Sequence, residues 1–570
     1  MSIRLKLYSF AFFIAFLVLV VRLFYWQIYK GKELSIQARS QYESSHSIDA
    51  FRGEILASDG TWLAASSQGW LVYASLDKID DDHNKIADQL SFLFVQEKDG
   101  EKAVLSEADR LKELLSRENS VWVPLKHRVN DEVKIQIEAL GIKGIGFEPE
   151  EIRDYPEGSV AAHILGFVGK NAQGEDLGYF GLEGYYDLSL SGRPGFLSRE
   201  ADARGSPIFI EDSKKVSAIQ GISLLTHLDK AIQITLEKKL KEGVEKYGAK
   251  SGTAIVMNPQ DGRVLAMGSY PAYDQSSYWE YGDEFFINPA ISSSFEPGSI
   301  FKVVVMASAL DNGVVTPETK CEICGGPYKV DKYLIETWNR KYNKDSNMQD
   351  VIINSDNVGM VFVANKLGKE KLYDYLKLFG FEDKTEIDLQ GEIAPKLREK
   401  SSWSDVDLAT AAFGQGIATT PLQMVRAVSA IANKGILVKP NVVDQLIGEN
   451  WKEDVNQKHE QRVISEGTAA QVTAMMVEAA KKGESKWTHQ AGFKIAGKTG
   501  TAQIPISGHY DEEKTIASFI GFAPYDDPKF IMLVSLQEPE SSQWASETAA
   551  PLWYAIARDL FLYFGIQPEK

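Results

Sequence analysis

The most apolar part of the chain lies at its start. Residues 7–21 read LYSFAFFIAFLVLVV, an unbroken run of apolar or small side chains, and the apolar character resumes after Arg22 as Leu-Phe-Tyr-Trp. Counted through Trp26, the segment has about 20 residues, enough for a helix to cross about 30 Å of hydrocarbon. A secretory signal would end in a small-x-small cleavage pattern, but bulky and charged residues follow here. The pattern therefore predicts an uncleaved transmembrane helix over residues 7–28.

The charges around this helix say little about its orientation. Arg4 and Lys6 precede it while Lys30 and Lys32 follow it, so the positive-inside rule has little asymmetry to act on. The chain has no second long apolar segment after the first. We therefore expect a single-pass membrane protein whose remaining residues all lie on one side of the bilayer.

The pattern after the helix changes once, near residue 226. Residues 45–222 contain short strand-like runs broken by Gly, Pro and Asp, with helical stretches near 87–94 and 107–115, which predicts a mostly-β domain. Residues 229–247 carry apolar side chains at helical spacing. We expect a linker helix over 226–250 that leads into a second domain.

The second domain, predicted over 251–565, begins and ends with strand patterns. Two β-prone runs within 253–270 flank Asn-Pro-Gln-Asp-Gly, which is typical of a hairpin turn, and 518–536 repeats the arrangement. Residues 547–565 have the pattern of an amphipathic helix. With helical patterns between the strands, the sequence predicts an α+β fold, in which helices flank a central antiparallel sheet.

Composition and charge exclude several classes of protein. A chain of 570 residues is too long for one ordinary core, and its formal charge of -17 argues against a nucleic-acid-binding protein. The two cysteines, Cys321 and Cys324, cannot complete a four-ligand zinc site by themselves. We expect a local disulfide or two structural thiols rather than a redox centre, and no metal or cofactor.

Two Ser-x-x-Lys pairs occur in the chain, and their surroundings separate them. Ser75 and Lys78 fall in a strand-like run, whereas Ser299 and Lys302 follow a Pro-Gly pair and lead into an apolar helical stretch over 299–313. Ser299 would open this helix and Lys302 would lie one turn along on nearly the same face. A lysine can take the proton of a serine hydroxyl if burial or nearby cations lower its pKa.

Two later motifs favour a catalytic interpretation of the second pair. Residues 355–357 read Ser-Asp-Asn and residues 498–500 read Lys-Thr-Gly. Together with Ser-x-x-Lys, in this order, they form the signature set of class A β-lactamases and penicillin-binding proteins. Lys498 and Ser355 could hold Lys302 partly deprotonated and pass a proton toward a leaving amine.

The remaining motif residues are candidates for substrate binding. Asn357 can pair with a substrate amide, and the hydroxyls of Thr499 and Thr501 can bind a carboxylate. Gly500, which has no side chain, would let the substrate lie close against the strand edge.

Longer stretches extend the likeness over most of the chain. The chain resembles a class B penicillin-binding protein, a monofunctional peptidoglycan D,D-transpeptidase, through FRGEILASDGTWLA (51–64), RDYPEGSVAAHILGFVG (153–169) and GLEGYYDLSLSGRPG (181–195). NPAISSSFEPGSIFK and IAGKTGTAQ resemble the family's catalytic core. The resemblance implies a non-catalytic pedestal or dimerisation domain over 45–222 and a penicillin-binding domain over 251–565.

The family's chemistry is what the resemblance implies for the site. Ser299 would attack the D-Ala-D-Ala carbonyl of a stem peptide with Lys302 as its base, and backbone N–H groups of Ser299 and Thr501 would form the oxyanion hole. An amine of a neighbouring stem peptide would resolve the acyl-enzyme, and β-lactam antibiotics would acylate the same serine.

The resemblance also implies a cellular setting. Residues 1–6 would be cytoplasmic, and the catalytic domain would lie outside a bacterial cytoplasmic membrane. A polytopic membrane glycosyltransferase would be the partner that polymerises the glycan, because no acidic glycosyltransferase motif precedes residue 225.

Two other functions share the motifs. A class A β-lactamase needs a Glu-x-x-Leu-Asn loop to hydrolyse its acyl-enzyme, and the nearest match, 386–390, is one residue off and resembles a structural stretch of class B transpeptidases. A β-lactam sensor or scaffold is the other alternative, although a sensor usually has a larger cytoplasmic part.

Overall fold

The structure is a computed structural model that describes residues 3–35, 43–48, 50–95, 100–117, 120–200, 214–455, 460–506 and 509–569. It begins with the α-helix Ile3–Phe24, which continues as a π-helical turn over Tyr25–Tyr29. The combined helix is long and apolar enough to cross a membrane, and none of its apolar window is buried against protein. These properties fit the predicted single-pass anchor, and the helix begins four residues before the predicted residue 7.

The chain forms two compact units. The first contains residues 1–51 and 191–221, and the second contains residues 52–190 and 222–570. In the first unit, strand Gly195–Glu200 pairs antiparallel with Glu43–Ile48 on one side and Lys214–Val216 on the other. The predicted domain over 45–222 has residues in both units, and strands near its two ends pair with each other. Its bounds stay a prediction.

Within the second unit, residues 52–190 build a sheet around one long strand. Trp62–Ser75 pairs antiparallel with Trp122–Val129 and Ile145–Asp154. Apolar side chains from three helices pack against these strands in one core, as amphipathic helices on a half-buried sheet do. The sequence predicted two of the helices and missed the third; they are His83–Phe94, Gly100–Leu115 and Asp131–Ala139.

Residues 52–190 also contain a buried cluster of charged side chains. Glu183, which is fully buried, accepts hydrogen bonds from Arg52 Nε at 2.6 Å and from Arg153 Nε at 2.7 Å. Asp187 accepts another from Arg52 Nη1 at 2.8 Å. The arginines sit in segments 51–64 and 153–169 and the acids in 181–195, so this cluster gives those sequence stretches a structural role.

The core of residues 222–570 is the predicted antiparallel sheet. Its strands lie in the order Val264–Tyr270, Ser251–Met257, Phe530–Gln537, His509–Ala523 and Ala496–Ile506, and every neighbouring pair is antiparallel. Both predicted hairpins are therefore confirmed, and Ala496–Ile506, which carries the Lys-Thr-Gly motif, is an edge strand.

Helices cover both faces of this sheet. Lys230–Tyr247 and Ala549–Tyr563 pack on one face, with Leu236, Leu240 and Trp553 buried in a shared core. The helix expected as a linker is therefore a packed layer of the fold. The predicted closing helix is confirmed. The other α-helices of four or more residues here are Pro289–Ser292, Lys302–Asp311, Met348–Ile353, Asn357–Leu367, Lys369–Leu378, Asp405–Ala411, Pro421–Ala432 and Glu466–Lys482.

Short strands complete the second unit. Ser223–Thr226 runs parallel to Ile55–Leu56 and antiparallel to Val443–Ile447, so it joins the sheet of residues 52–190 to the C-terminal part. The remaining short pieces are Phe167–Lys170 with Asp176–Tyr179, Tyr328–Val330 with Tyr333–Ile335, Ile436–Val438 with Glu460–Arg462, Lys452–Asp454, and helices Ala162–Leu165, Gly181–Tyr185 and Asp187–Leu190.

Cys321 and Cys324 are joined in a disulfide, the first of the two arrangements expected from their spacing. Both residues are buried, at 1% and 0% exposure, and Cys321 N–H donates to Ser346 O at 2.8 Å. The bridge therefore closes a short loop inside the fold.

Candidate active site

The turn that carries Ser299 precedes an α-helix rather than opening it. Gly298–Phe301 is a 3₁₀ turn, and the α-helix begins at Lys302 and ends at Asp311. The Lys302 N–H donates to the Ser299 carbonyl across this turn. We predicted that Ser299 opens the helix. In the structure Ser299 lies in the 3₁₀ turn before it, and the α-helix begins three residues later. Gly298 has φ of 56°, a left-handed conformation that glycine adopts without strain.

Lys302 is fully buried, and its hydrogen-bond acceptors among the described residues are neutral oxygens. Its Nζ donates to Ser355 O at 2.6 Å, to Asn357 Oδ1 at 2.7 Å and to Ser355 Oγ at 3.3 Å. Burial, together with the positive charge of Lys498, lowers the pKa of Lys302 to about 7. A substantial fraction of this amine is therefore neutral near physiological pH.

Ser355 lies in a left-handed turn between two helices. Its φ is 54°, which is uncommon for a residue with a side chain and marks a conformation that the surroundings must hold in place. Asp356 caps the following helix by accepting a hydrogen bond from Gly359 N at 3.1 Å. The cap helps to fix the turn that presents the Ser355 hydroxyl to the lysines.

Lys498 approaches the same hydroxyl from the edge strand. Its Nζ donates to Ser355 Oγ at 3.0 Å, and to Thr499 O and Oγ1 at 3.1 and 3.2 Å. Burial lowers its pKa, and the nearby Glu484 opposes that shift. The Ser355 hydroxyl therefore lies between two buried amines, which suits it to relay a proton.

Gly500 packs closely against the turn that carries Ser299. A Cβ at this position would lie 2.8 Å from Ile300 Cγ2 and 3.1 Å from both Ile300 N and Pro297 O. The missing side chain lets the edge strand approach the Ser299 turn. The room that Gly500 leaves for substrate stays a prediction. Ile300 is fully buried.

Four predicted site residues line one small cavity of about 90 Å³: Ser299, Ser355, Asn357 and Thr501. Lys302 and Lys498 meet this cavity through their hydrogen bonds to Ser355. Thr501 Oγ1 accepts a hydrogen bond from Ala545 N at 3.1 Å. Motifs far apart in the sequence are thus brought to one place.

The cavity also contains residues that the sequence did not single out. Glu484 lines it and accepts a hydrogen bond from Thr499 Oγ1 at 2.7 Å. Trp338 and Trp544 line it with ring centroids 5.5 Å apart. These residues come from loops without a motif, and only the proximity of Glu484 to Lys-Thr-Gly along the chain could have drawn attention to it.

The other two candidate stretches have structural contacts. Ser75 ends a strand and Lys78 lies in the 3₁₀ turn Leu76–Lys78, as the strand-like pattern predicted. In the stretch 386–390, Asp388 accepts hydrogen bonds from Val442 N and Val443 N at 2.7 and 2.8 Å. Glu386 lies outside the cavity lining, and its side chain is 73% exposed. The geometry therefore supports the structural interpretation over a deacylating glutamate.

Comparisons with known proteins show the family to which the chain belongs. The model of the penicillin binding protein transpeptidase domain matches residues 252–560, and that of the penicillin-binding protein dimerisation domain matches residues 47–226. Stage V sporulation protein D of Bacillus subtilis is 33% identical over 98% of this chain and 85% of its own length. A probable peptidoglycan D,D-transpeptidase, PenA of Neisseria gonorrhoeae, is 28% identical over 100% of this chain and 94% of its own.

Solved structures show the same architecture. Penicillin-binding protein 2X of Streptococcus thermophilus superposes with a TM-score of 0.72 at 25% identity, covering 92% of this chain and 83% of that one. Penicillin-binding protein 3 of Mycobacterium tuberculosis, complexed with aztreonam, has the same fold, with a TM-score of 0.70 at 24% identity over 92% and 98% of the two chains.

A dimerisation domain followed by a transpeptidase domain defines the class B penicillin-binding proteins. The chain belongs to this family and is a peptidoglycan D,D-transpeptidase of cell-wall synthesis.

Proposed function

We propose that Ser299 is the nucleophile of this transpeptidase and that Lys302 is its general base. The observation that carries the proposal is the buried Lys302 amine, with a pKa of about 7, one turn after a half-buried serine on the cavity wall. A serine hydroxyl needs a nearby neutral base, and an ordinary lysine at neutral pH would be protonated.

The reaction proceeds through an acyl-enzyme. Ser299 Oγ bonds to the carbonyl carbon of the D-Ala-D-Ala peptide bond while Lys302 Nζ takes the hydroxyl proton. The C–N bond then breaks, and the leaving amine of the terminal D-Ala receives a proton from Lys302 through Ser355 Oγ. An acceptor amine attacks the ester, its proton passes to Lys302, and Ser299 Oγ leaves and regains its proton.

Substrate is held by the edge strand and the Ser-Asp-Asn turn. Asn357 Oδ1 accepts from Lys302 and its Nδ2 donates to Glu336 O at 3.0 Å, which leaves the second Nδ2 hydrogen for a substrate carbonyl. Thr501 offers a hydroxyl to the substrate carboxylate. Backbone N–H groups of Ser299 and Thr501 stabilise the oxyanion, as the family resemblance implies.

The protein acts at the outer surface of a bacterial cytoplasmic membrane. The apolar helix Ile3–Tyr29 supports a single-pass anchor, with residues 1–6 in the cytoplasm and the domain over 251–565 outside. Peptidoglycan stem peptides are the substrates, β-lactam antibiotics are inhibitors, and a polytopic membrane glycosyltransferase is the partner, contacted through the anchor and the non-catalytic domain over 45–222.

Covalent labelling with a fluorescent penicillin tests the nucleophile. We expect full-length wild-type protein to form a stable adduct. Ser299→Ala should lose at least about 99% of the label, because a serine hydroxyl without an adjacent base is a weak nucleophile. Ser75→Ala, the serine of the other Ser-x-x-Lys pair, is the matched control and should label like wild type.

Two outcomes contradict the proposal. Undiminished labelling of Ser299→Ala would remove Ser299 from its role. Rapid loss of the label from wild type, with release of hydrolysed penicillin, would instead indicate a β-lactamase.

A further inference from the structure

Glu484 reaches the cavity because the chain turns sharply after a helix. Helix Glu466–Lys482 ends at Gly483, whose N–H donates to Ala479 O. A Cβ on Gly483 would lie only 2.8 Å from Ile353 O, immediately before the turn that carries Ser355. The missing side chain therefore lets this loop pack against that turn and brings Glu484 to the wall of the cavity.

The carboxylate of Glu484 uses the only proton of the Thr499 hydroxyl. Thr499 Oγ1 donates to Glu484 Oε2 at 2.7 Å and accepts from Lys498 Nζ at 3.2 Å. A hydroxyl has one proton to donate, so Thr499 cannot donate to an incoming anion while this bond exists. The prediction that Thr499 and Thr501 together bind a carboxylate therefore does not fit this arrangement.

Thr501 has the opposite arrangement. Its Oγ1 accepts a hydrogen bond from Ala545 N, which leaves the hydroxyl proton available to a ligand. Thr501 also lines the cavity directly, together with Ser299. Of the two threonines in the motif, Thr501 is the one prepared to donate to an anionic group.

The charges around Ser355 also favour Thr501 over Thr499 as the donor to a ligand carboxylate. Four ionisable groups surround Ser355: Lys302 from its helix, Lys498 from the edge strand, Asp356 from the helix cap and Glu484 from the loop. Glu484 alone among them both lines the cavity and carries a negative charge. It opposes the approach of an anion toward Lys498 and Thr499.

We propose that Glu484 is a specificity-determining residue, whose carboxylate occupies the Thr499 hydroxyl and directs the terminal carboxylate of a ligand to Thr501. The inference rests on the proposed transpeptidase function and assigns Glu484 a role at the same site. It predicts that wild type binds ligand carboxylates with one threonine hydroxyl instead of two.

Acylation rates with a charged and an uncharged ligand test this role. Benzylpenicillin carries a carboxylate, and its methyl ester does not. We expect Glu484→Ala to raise the second-order acylation constant of the acid about fivefold to tenfold, since a second charge-assisted hydrogen bond becomes available, while the ester changes less than about twofold. Glu484→Gln, which removes the charge and keeps an acceptor, should give a smaller gain.

Two further variants separate a specificity role from a structural one. The gain should disappear in the double variant Glu484→Ala/Thr499→Val, because the released hydroxyl is then absent. Glu478→Gln, in the helix that precedes the Glu484 loop and outside the lining of the cavity, also removes one negative charge and is the matched control for Glu484→Gln.

Equal changes for acid and ester, or slower acylation of Glu484→Ala by the acid alone, would overturn the inference. Either result would leave the proposed function intact if wild type is still acylated at Ser299. Loss of acylation of wild type by both ligands would instead contradict the proposed function. Thermal melting of each variant identifies any that fail to fold.

Discussion

The protein buries two clusters of charged side chains, and they are built in opposite ways. In the cluster around Glu183, guanidinium groups of Arg52 and Arg153 meet the carboxylate at 2.6 and 2.7 Å. In the cluster around Ser355, the amines of Lys302 and Lys498 donate only to neutral oxygens among the described contacts. One cluster pairs its charges directly, and the other places two amines on one hydroxyl, without a direct ion pair to either amine among the described contacts.

This difference decides which charges are permanent. Burial alone would raise the pKa of Glu183, but the two arginines outweigh it and keep the pKa below its ordinary value. For Lys302, burial and the second lysine both lower the pKa, to about 7. The first cluster therefore stays ionised and stabilises the fold, while the second contains a group that can lose its proton and act as a base.

The largest effect is expected from replacing the base itself. Lys302→Arg keeps a positive charge that cannot be lost near neutral pH, so acylation by penicillin should slow by about 1,000-fold. The acylation rate constant is the measurement, and Lys302→Met tests the same loss without the larger guanidinium. Lys78→Arg, in the other Ser-x-x-Lys pair, should be acylated by penicillin at the wild-type rate. Rapid acylation of both Lys302 variants would show that another group is the base.

The paired cluster should respond through stability. Glu183→Gln leaves the buried guanidinium of Arg153 without a carboxylate and that of Arg52 with Asp187 alone. We expect the free energy of unfolding to fall by about 3–5 kcal/mol. Urea unfolding measures the loss. Glu138→Gln breaks a long ion pair between the exposed Glu138 and the partly buried Lys134, and should cost less than about 1 kcal/mol. Equal losses in the two variants would mean that burial of the cluster does not matter.

The smallest of these effects is a shift in the pH dependence of acylation. Only neutral Lys302 accepts a proton, so the rate should be high above pH 7 and fall as the pH drops through the pKa of about 7. Lys498→Met removes a positive charge that lowers the pKa of Lys302, so the midpoint should move to higher pH. A midpoint that stays in place or moves to lower pH would contradict the coupling of the two lysines.

Several features of the fold and of the candidate site could be predicted from the sequence. The hairpin within 253–270 was predictable because its turn residues and alternating strands are local signals. Ser299, Ser355 and Lys498 could be chosen as site candidates because their motifs are local too. The apolar run at the N-terminus was equally plain. Each of these features is encoded within a few neighbouring residues.

The features that sequence reasoning missed depend on contacts between distant segments. Strand Glu43–Ile48 pairs with Gly195–Glu200, far along the chain, and nothing local marks that pairing. Glu484 becomes part of the site because Gly483 packs against the Ser355 turn. The close packing of Gly500 against Ile300 likewise depends on how the edge strand meets the Ser299 turn.

Peptide mapping of the penicillin adduct tests most directly whether Ser299 is the nucleophile. Trypsin cleaves after Arg52, Lys78, Arg263 and Lys302, so the two competing serines fall in different peptides, 53–78 and 264–302. Mass spectrometry of acylated wild-type protein should find one penicilloyl group on peptide 264–302, attached to Ser299. An adduct on 53–78, on any other peptide, or on a different serine of 264–302 would contradict the assignment.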